Sequence, residues 1–172
     1  MIMTGISIES ASAADLAEIM RNFDRFWGDR ENELLRHLHH PMFLVEFGDT
    51  AFVARSNEGA DGDVGEVVAY LLGFLAPAGY GYVHFIAVRE DARSAGVADR
   101  LYERFTSVAL DRGATGLKAI TSPENERSIA FHRRLGFTDM ERVEDYGGSG
   151  RPRIIMRKPL PAAESQRERG GG

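Results

Sequence analysis

The chain has 172 residues, of which 43% are hydrophobic and 27% are charged. These values are ordinary for a soluble globular protein, and the length suits one domain with a sizeable core. Its 21 basic and 26 acidic residues give a net charge of −5, which argues against binding to the nucleic-acid backbone. The absence of cysteine excludes disulfides, thiolate zinc sites and a cysteine nucleophile.

The hydropathy pattern argues against a membrane protein. No apolar run approaches the roughly 20 residues that a membrane-spanning helix needs. The start, MIMTGISIES, lacks the basic segment and the apolar segment of a signal peptide. We therefore expect a cytoplasmic protein whose partners include neither nucleic acid nor membrane.

The N-terminal part predicts a strand followed by two helices. Ile6 and Ile8 alternate with polar neighbours, as in a short strand. Ser12 precedes a helix and forms a capping pair with Asp15. The apolar residues of that helix recur at helical spacing: Leu16, Ile19, Met20, Phe23 and Trp27. A second short helix over residues 30–40 ends before Pro41.

The remainder predicts strands separated by two amphipathic helices. Strands are expected over 50–56, 65–76, 79–88, 116–122 and 151–160, with a turn-rich segment over 57–65. One helix places Leu101, Phe105 and Val108 on one face and ends at Gly113. The other helix, over 125–137, closes on Gly136. We predict a single domain over 1–160, of the α/β or α+β class, and a flexible tail over 161–172.

A turn between an apolar strand and a helix is the strongest functional signal. The strand ends at Val88, and Arg93, Gly96 and Ala98 follow before the helix is established. Bare amides at a helix N-terminus favour a phosphate group, and a guanidinium pairs with phosphate in a bidentate manner. The turn therefore predicts either a diphosphate site or an ordinary strand-to-helix connection with an exposed arginine.

The sequence of this turn excludes the two commonest phosphate motifs. It contains neither GxxxxGK[ST] nor GxGxxG. It does fit R/Q-x-x-G-x-G/A, and SPENERSIAFHRRLGF follows at residues 122–137. Together these two segments resemble the coenzyme A-binding region of the GNAT superfamily of N-acetyltransferases, and the resemblance covers roughly residues 80–140.

The resemblance implies a fold and a cofactor. It implies an α/β (α+β) protein with a mixed, mostly antiparallel sheet of about seven strands and helices on both faces. The sheet would be splayed centrally, between the strands YVHFIAV and LKAITS. Acetyl-CoA would enter this opening as the acetyl donor. The partner would be an amine acceptor, either a small molecule or a peptide, and a homodimer is possible.

The same resemblance implies the cofactor-binding residues. The Ile86 amide would face the thioester carbonyl, the Val88 backbone would pair with pantetheine, and the turn would bind the diphosphate. The complete expected set is Ile86, Ala87, Val88, Arg93, Ser94, Ala95, Gly96, Val97, Ala98, Asn125 and His132. Asn125 has a second interpretation as the N-cap of the following helix.

The catalytic candidates are His132, His84 and Tyr82. His132 stands where relatives carry a tyrosine, so it either donates to the departing thiolate or only occupies the place. The two positions where relatives carry a glutamate base fall at Tyr82 and Ile120. His84 would then act as the base directly or through a water, unless it is a structural histidine. Glu66 is a more distant candidate.

Two N-terminal segments remain open to interpretation. His37 and His40 in HLHHP lack further ligands that would complete a tetrahedral set, so we expect no metal site. The resemblance instead places these helices over an acceptor cleft. In RFWGDR, Arg25, Trp27 and Asp29 would shape the acceptor pocket, or Trp27 would simply belong to the core.

The function expected from the resemblance is acetyl-CoA-dependent N-acetylation of a primary amine, by direct attack in a ternary complex. A non-catalytic acyl-CoA-binding sensor is one alternative, because the usual tyrosine and glutamates are missing. An acyltransferase with a longer acyl donor, or with an alcohol acceptor, is another.

Overall fold

The computed structural model describes residues 5–28, 33–56, 65–93 and 96–161. The helices are α1 (Ala13–Arg21), α2 (Phe23–Trp27), α3 (Glu33–His37), α4 (Met42–Val45), α5 (Val97–Asp111) and α6 (Glu126–Arg134). The strands are β1 (Ile6–Ser10), β2 (Ala51–Ser56), β3 (Val67–Ala76), β4 (Tyr80–Val88), β5 (Gly116–Thr121), β6 (Asp139–Val143) and β7 (Arg153–Pro159). All but the last residue of the expected turn over 57–65, and all but the first residue of the expected tail over 161–172, lie outside the described residues, as do Asp29, Ser94 and Ala95.

The described strands form one seven-stranded sheet in the order β1-β2-β3-β4-β5-β7-β6. The pairs β1–β2, β2–β3, β5–β7 and β6–β7 are antiparallel, whereas β4 and β5 run parallel. This mixed, mostly antiparallel architecture with helices confirms the predicted fold class.

The ladder between β4 and β5 is short. It runs from Tyr80 opposite Gly116 to Val83 opposite Ala119, although β4 continues to Val88. Backbone groups on the second half of β4 are therefore not used by the described ladder to β5. Such a strand end is the type of edge to which an extended ligand can add.

Local chemistry explains where the N-terminal helices begin and end. The Ser12 side chain accepts a hydrogen bond from the Asp15 amide while the Asp15 carboxylate accepts from the Ser12 amide, so the predicted capping box is confirmed. The helix predicted to continue through Trp27 is instead divided at Asn22, which lies outside the helical region with φ −111° and ψ 28°. The second predicted helix also differs, since α3 ends at His37 and α4 starts only after Pro41.

Strand β6 was not predicted. Its sequence, DMERV, contains three charged residues, and none of its five residues is fully buried. Because the strand lies at the edge of the sheet, it lacks the apolar alternation from which strands are read.

The chain divides into two compact units. The first contains the described residues up to Phe74 together with Phe85–Phe105. Its core is an aromatic cluster beneath the N-terminal helices, with Phe23, Phe26, Phe43 and Tyr70 almost completely buried. No described helix is long and apolar enough to cross a membrane.

The second unit contains Leu75–His84 and the described residues from Thr106 onward. Leu117, Ala119, Phe137 and Met156 form its buried interior. In the C-terminal part of α5, which belongs to this unit, Ala109 is buried. The neighbouring Val108 was expected to face the core but is only half-buried.

Candidate active site

The turn that leads into α5 has the geometry expected of an anion site. Gly96 adopts φ +65°, and its carbonyl accepts a hydrogen bond from the Arg100 amide at 3.3 Å, so helix α5 starts directly after it. A Cβ atom added at Gly96 would meet nothing within 4 Å, which leaves open space in front of the turn. The first amides of a helix have no partner inside the helix, so those of Val97 and Ala98 stand at its positive end.

Arg93 supplies a positive charge beside this helix end. Its guanidinium lies 3.6 Å from the Glu90 carboxylate and donates a long hydrogen bond, 3.4 Å, to the Val88 carbonyl. The Glu90 carboxylate is 88% exposed, so solvent screens this ion pair and a stronger anion can replace it. Ala92, which is almost fully buried, anchors the turn just before Arg93.

The end of β4 is held by an aromatic stack in the first unit. The Phe85 ring stacks on the His39 imidazole with centroids 4.2 Å apart and planes 3° from parallel. His39 is buried, and its Nδ1 donates to the Leu35 carbonyl at 2.8 Å. The stack fixes Phe85, the residue directly before Ile86. Within β4, Ala87 is buried, and Ile86 and Val88 are half-buried.

Hydrogen bonds extend this stack to Trp27. Because His39 Nδ1 carries the proton, His39 Nε2 accepts from the Tyr70 hydroxyl at 2.8 Å. That hydroxyl oxygen accepts from Trp27 Nε1 at 2.7 Å, and burial raises the pKa of Tyr70 far above its usual value. Trp27 therefore packs against the core, as its core interpretation predicted.

The charged candidates of this unit form ion pairs. Glu66 Oε2 lies 2.6 Å from Arg89 Nη1 and 3.3 Å from Arg25 Nη1. The hydrogen bond from Arg89, helped by both positive charges, holds the pKa of the Glu66 carboxyl below its ordinary value. A carboxylate held in this way is a poor general base. Sequence reasoning did not identify Arg89, although a basic residue directly after an apolar strand is a visible signal.

Tyr82 and His84 lie two residues apart on β4 in the second unit. Their ring centroids are 6.2 Å apart. Burial, with smaller contributions from Tyr146 and Tyr80, raises the pKa of Tyr82 to about 12. Tyr82 therefore keeps its hydroxyl proton at neutral pH and is suited to donate a hydrogen bond, not to remove a proton.

Asn125 and His132 both belong to α6, also in the second unit. The Asn125 side chain accepts a hydrogen bond from the Ser128 amide at 3.2 Å, so it does cap the helix. His132 is buried, and its Nδ1 donates to the Ser128 carbonyl at 2.7 Å. Burial lowers the pKa of His132, and the bond to Ser128 only partly opposes this shift. A neutral His132 therefore has its single ring proton on Nδ1, and Nε2 is the basic nitrogen.

The N-terminal histidines have separate local partners. His37 Nδ1 donates to the Glu33 carbonyl at 2.9 Å, and His40 Nδ1 accepts from the Met42 amide at 3.1 Å. Among the described residues, no group of three possible metal ligands comes together.

Comparison with known proteins now identifies the family. The model of the acetyltransferase (GNAT) family matches residues 15–137, which include the turn, β5 and α6. The chain belongs to this family of acetyltransferases. Its acetyl donor is acetyl-CoA, whose diphosphate suits the bare amides and open space found at Gly96.

The chain is similar to several individual proteins, among them an N-alpha-acetyltransferase. The chain is 28% identical to N-alpha-acetyltransferase 30 of Schizosaccharomyces pombe over 104 residues, which cover 60% of this chain and 67% of the relative. It resembles a chain of the NatC complex, solved with Gag peptide and CoA, with a TM-score of 0.73, 17% identity and coverage of 92% and 100%. The ribosomal-protein-S18-alanine N-acetyltransferase of Escherichia coli gives a TM-score of 0.68 at 21% identity, covering 92% and 96%. The structural likenesses establish the fold.

Proposed function

We propose that the chain transfers acetyl from acetyl-CoA to a primary amine by direct attack in a ternary complex, and that the amine is the free N-terminus of a peptide. One observation carries the proposal. The strand β4 leads through Arg93 and a left-handed Gly96 into α5, inside the segment that matches the family. The N-terminal acetyltransferases among the relatives support the peptide acceptor.

The donor is bound, in this proposal, by backbone groups more than by side chains. The amides of Gly96, Val97 and Ala98 bind the diphosphate, and Arg93, Ser94 and Ala95 are the further residues assigned to it. Ala87 and Val88 pair with pantetheine as a strand would, and the short β4–β5 ladder supports this role. Asn125 and His132 contact the donor from α6.

The chemistry forms an amide C–N bond and breaks the thioester C–S bond. The amine loses a proton to a base, and the departing thiolate takes one up. The Ile86 amide donates to the thioester oxygen as negative charge develops there, and losing one such donor costs on the order of 3 kcal/mol in comparable acyl transfers. Since the chain contains no cysteine, no cysteine-linked acetyl enzyme precedes this step.

Relatives carry a glutamate base at one of the two positions that are Tyr82 and Ile120 in this chain, and its absence from both positions favours an α-amine acceptor. A lysine amine, with a pKa of about 10.4, is well under 1% neutral at pH 7, whereas an α-amine near 8 is about a tenth neutral. An α-amine therefore needs less help to lose its proton. We assign the removal of the amine proton to His84, acting directly or through a water. Tyr82, whose hydroxyl stays protonated, would donate a hydrogen bond in the site.

His132 is the proposed proton donor to the thiolate. Because its Nδ1 proton is engaged by Ser128, Nε2 donates only when the ring is the imidazolium. Burial lowers the pKa of His132, so this form becomes scarcer as the pH rises. The proton-donor role therefore predicts a turnover number that falls toward alkaline pH.

A CoA-release assay tests the proposal. One peptide is offered with a free N-terminus and an internal lysine, and its control carries the same lysine behind a blocked N-terminus. We expect CoA release with the free peptide alone. Tight acetyl-CoA binding without turnover on peptides or small amines would instead indicate a sensor, and faster turnover with longer acyl-CoA would indicate a different donor.

A further inference from the structure

Four charged side chains of the first unit form a closed cluster next to the turn. Arg89 Nη1 lies 2.6 Å from Glu66 Oε2, and Arg89 Nη2 lies 2.6 Å from Asp91 Oδ2. Arg25, on α2, reaches the same two carboxylates at 3.3 Å and 3.7 Å. Two arginines thus face two carboxylates, and one of these carboxylates, Asp91, lies two positions before Arg93.

The cluster ties the turn to the sheet and to α2. Arg89 is only 5% exposed, and its amide donates to the Val68 carbonyl at 2.9 Å. Glu66 lies directly before β3, and Asp91 lies in the short 3₁₀ turn Glu90–Ala92 that precedes Arg93. Arg89 is therefore the buried centre of the cluster, and Arg25 is the more exposed of its two arginines, with 39% of its side chain exposed.

The two arginines of the cluster also neutralise negative charge that would repel an anionic ligand at the turn. Glu66 and Asp91 keep their negative charge, because hydrogen bonds from Arg89 lower the pKa of both carboxyls. Without the two arginines, these carboxylates would repel a polyanion that approaches Arg93 and Gly96. Since their side chains are 63% and 56% exposed, their field extends into the solvent through which such a ligand arrives.

We propose that Arg25 is a specificity-determining positioning residue, which neutralises Asp91 and Glu66 so that the turn accepts the phosphates of CoA. The inference rests on the proposed function, because it assumes that the turn binds the diphosphate. It makes a distinct claim, since it assigns to Arg25 no contact with the donor but an action through Asp91 and Glu66, which Arg25 contacts. Arg25 thereby favours donors that carry phosphates over donors that carry only the pantetheine arm.

The test compares two acetyl donors with the full-length enzyme. Acetyl-CoA carries the phosphates, whereas acetyl-pantetheine presents the same thioester without them. For Arg25→Gln we expect kcat/KM with acetyl-CoA to fall by about fivefold through KM, with kcat nearly unchanged and the loss shrinking as salt is added. With acetyl-pantetheine we expect no change. Arg142→Gln, which removes an exposed arginine of β6 that forms an ion pair with Glu144, controls for net charge.

A second substitution separates neutralisation from packing. Adding Asp91→Asn to Arg25→Gln removes one of the uncompensated carboxylates, so we expect acetyl-CoA KM to return most of the way to the unmodified value. Arg25→Lys keeps the positive charge, so its kcat/KM with acetyl-CoA should fall less than that of Arg25→Gln. An equal loss with both donors, or no recovery in the double variant, overturns the inference. If acetyl-pantetheine turns over too slowly to measure, the recovery of the acetyl-CoA KM in the double variant is by itself the deciding result.

The outcomes also distinguish a failure of this inference from a failure of the proposed function on which it rests. If the unmodified chain neither binds nor turns over acetyl-CoA, the proposed function fails. If it does so normally and Arg25→Gln behaves like the Arg142→Gln control, only the role of Arg25 fails. Arg89 is unsuitable for the test, because its side chain is buried and replacing it would alter the packing beside the turn as well as the charge.

Discussion

Replacing Gly96 with alanine perturbs the turn at one defined point. Gly96 has φ +65°, a region that costs an L-residue roughly 1–2 kcal/mol. A Cβ atom at this position meets no protein atom within 4 Å, so the cost is backbone strain and not a clash. We expect Gly96→Ala to lower the free energy of unfolding by about that amount, a shift in Tm of roughly 2–8 °C for a chain of this size.

The same change should weaken donor binding. The alanine relieves its strain by rotating φ toward negative values, which turns the amides of Val97 and Ala98 away from the diphosphate. The added methyl group also occupies the space in front of the turn. We expect the Kd for acetyl-CoA, measured by calorimetry, to rise at least about tenfold, equivalent to about 1.4 kcal/mol.

A matched control lies at the other end of the same helix. Gly113 follows α5 with φ +78°, and a Cβ atom there also meets nothing within 4 Å. Gly113→Ala should therefore lose similar stability while leaving acetyl-CoA binding unchanged. Equal loss of binding in both variants, or undiminished binding in Gly96→Ala, would refute the assignment of this turn as the diphosphate site.

Three further predictions concern the buried residues His132 and Tyr70. His132→Phe should lower the turnover number and abolish its fall toward alkaline pH; an unchanged turnover number and pH profile would remove His132 from the proton path. In denaturant unfolding, stability should decline as pH falls below about 6.5, because the unfolded chain takes up the proton that buried His132 resists, and this decline should be shallower in His132→Phe. A profile identical in both chains would contradict the lowered pKa. Tyr70→Phe leaves the Trp27 N–H and His39 Nε2 without their shared hydroxyl, which should cost about 1–3 kcal/mol in urea unfolding, whereas exposed Tyr146→Phe should cost almost nothing.

The sequence predicted the elements that carry strong local signals. The box at Ser12 and Asp15 and the strands through Val53, Leu71 and Val83 follow from capping chemistry and from runs of apolar residues. The turn at Gly96 was recognisable because it fits R/Q-x-x-G-x-G/A between an apolar strand and a helix, and the structure adds that Gly96 has a positive φ, which few other residues tolerate. These signals are local, so a single sequence contains them.

The features that escaped prediction depend on contacts between distant residues. The division of the first helix at Asn22 is not marked by proline or glycine. Nothing in the sequence distinguishes His39 from the neighbouring His37 and His40, and only the fold buries it between Phe85 and Tyr70. The role of Arg89 depends on its hydrogen bond to Glu66, which lies 23 positions earlier in the sequence. Such pairings require the tertiary structure.

The catalytic residues remain predictions, and the structure sharpens what each can do. The raised pKa of Tyr82 restricts it to a hydrogen-bonding role, and the engaged Nδ1 of His132 restricts it to donation as imidazolium. Neither restriction was visible from the sequence, because both depend on burial and on one specific partner.

Calorimetric titration of the ligand-free chain with CoA tests the central claim most directly. If the Arg93–Ala98 turn binds the diphosphate, we expect heat of binding with one CoA per chain, and a much weaker signal with pantetheine. Absence of heat with both CoA and acetyl-CoA, or equal binding of CoA and pantetheine, would contradict the account.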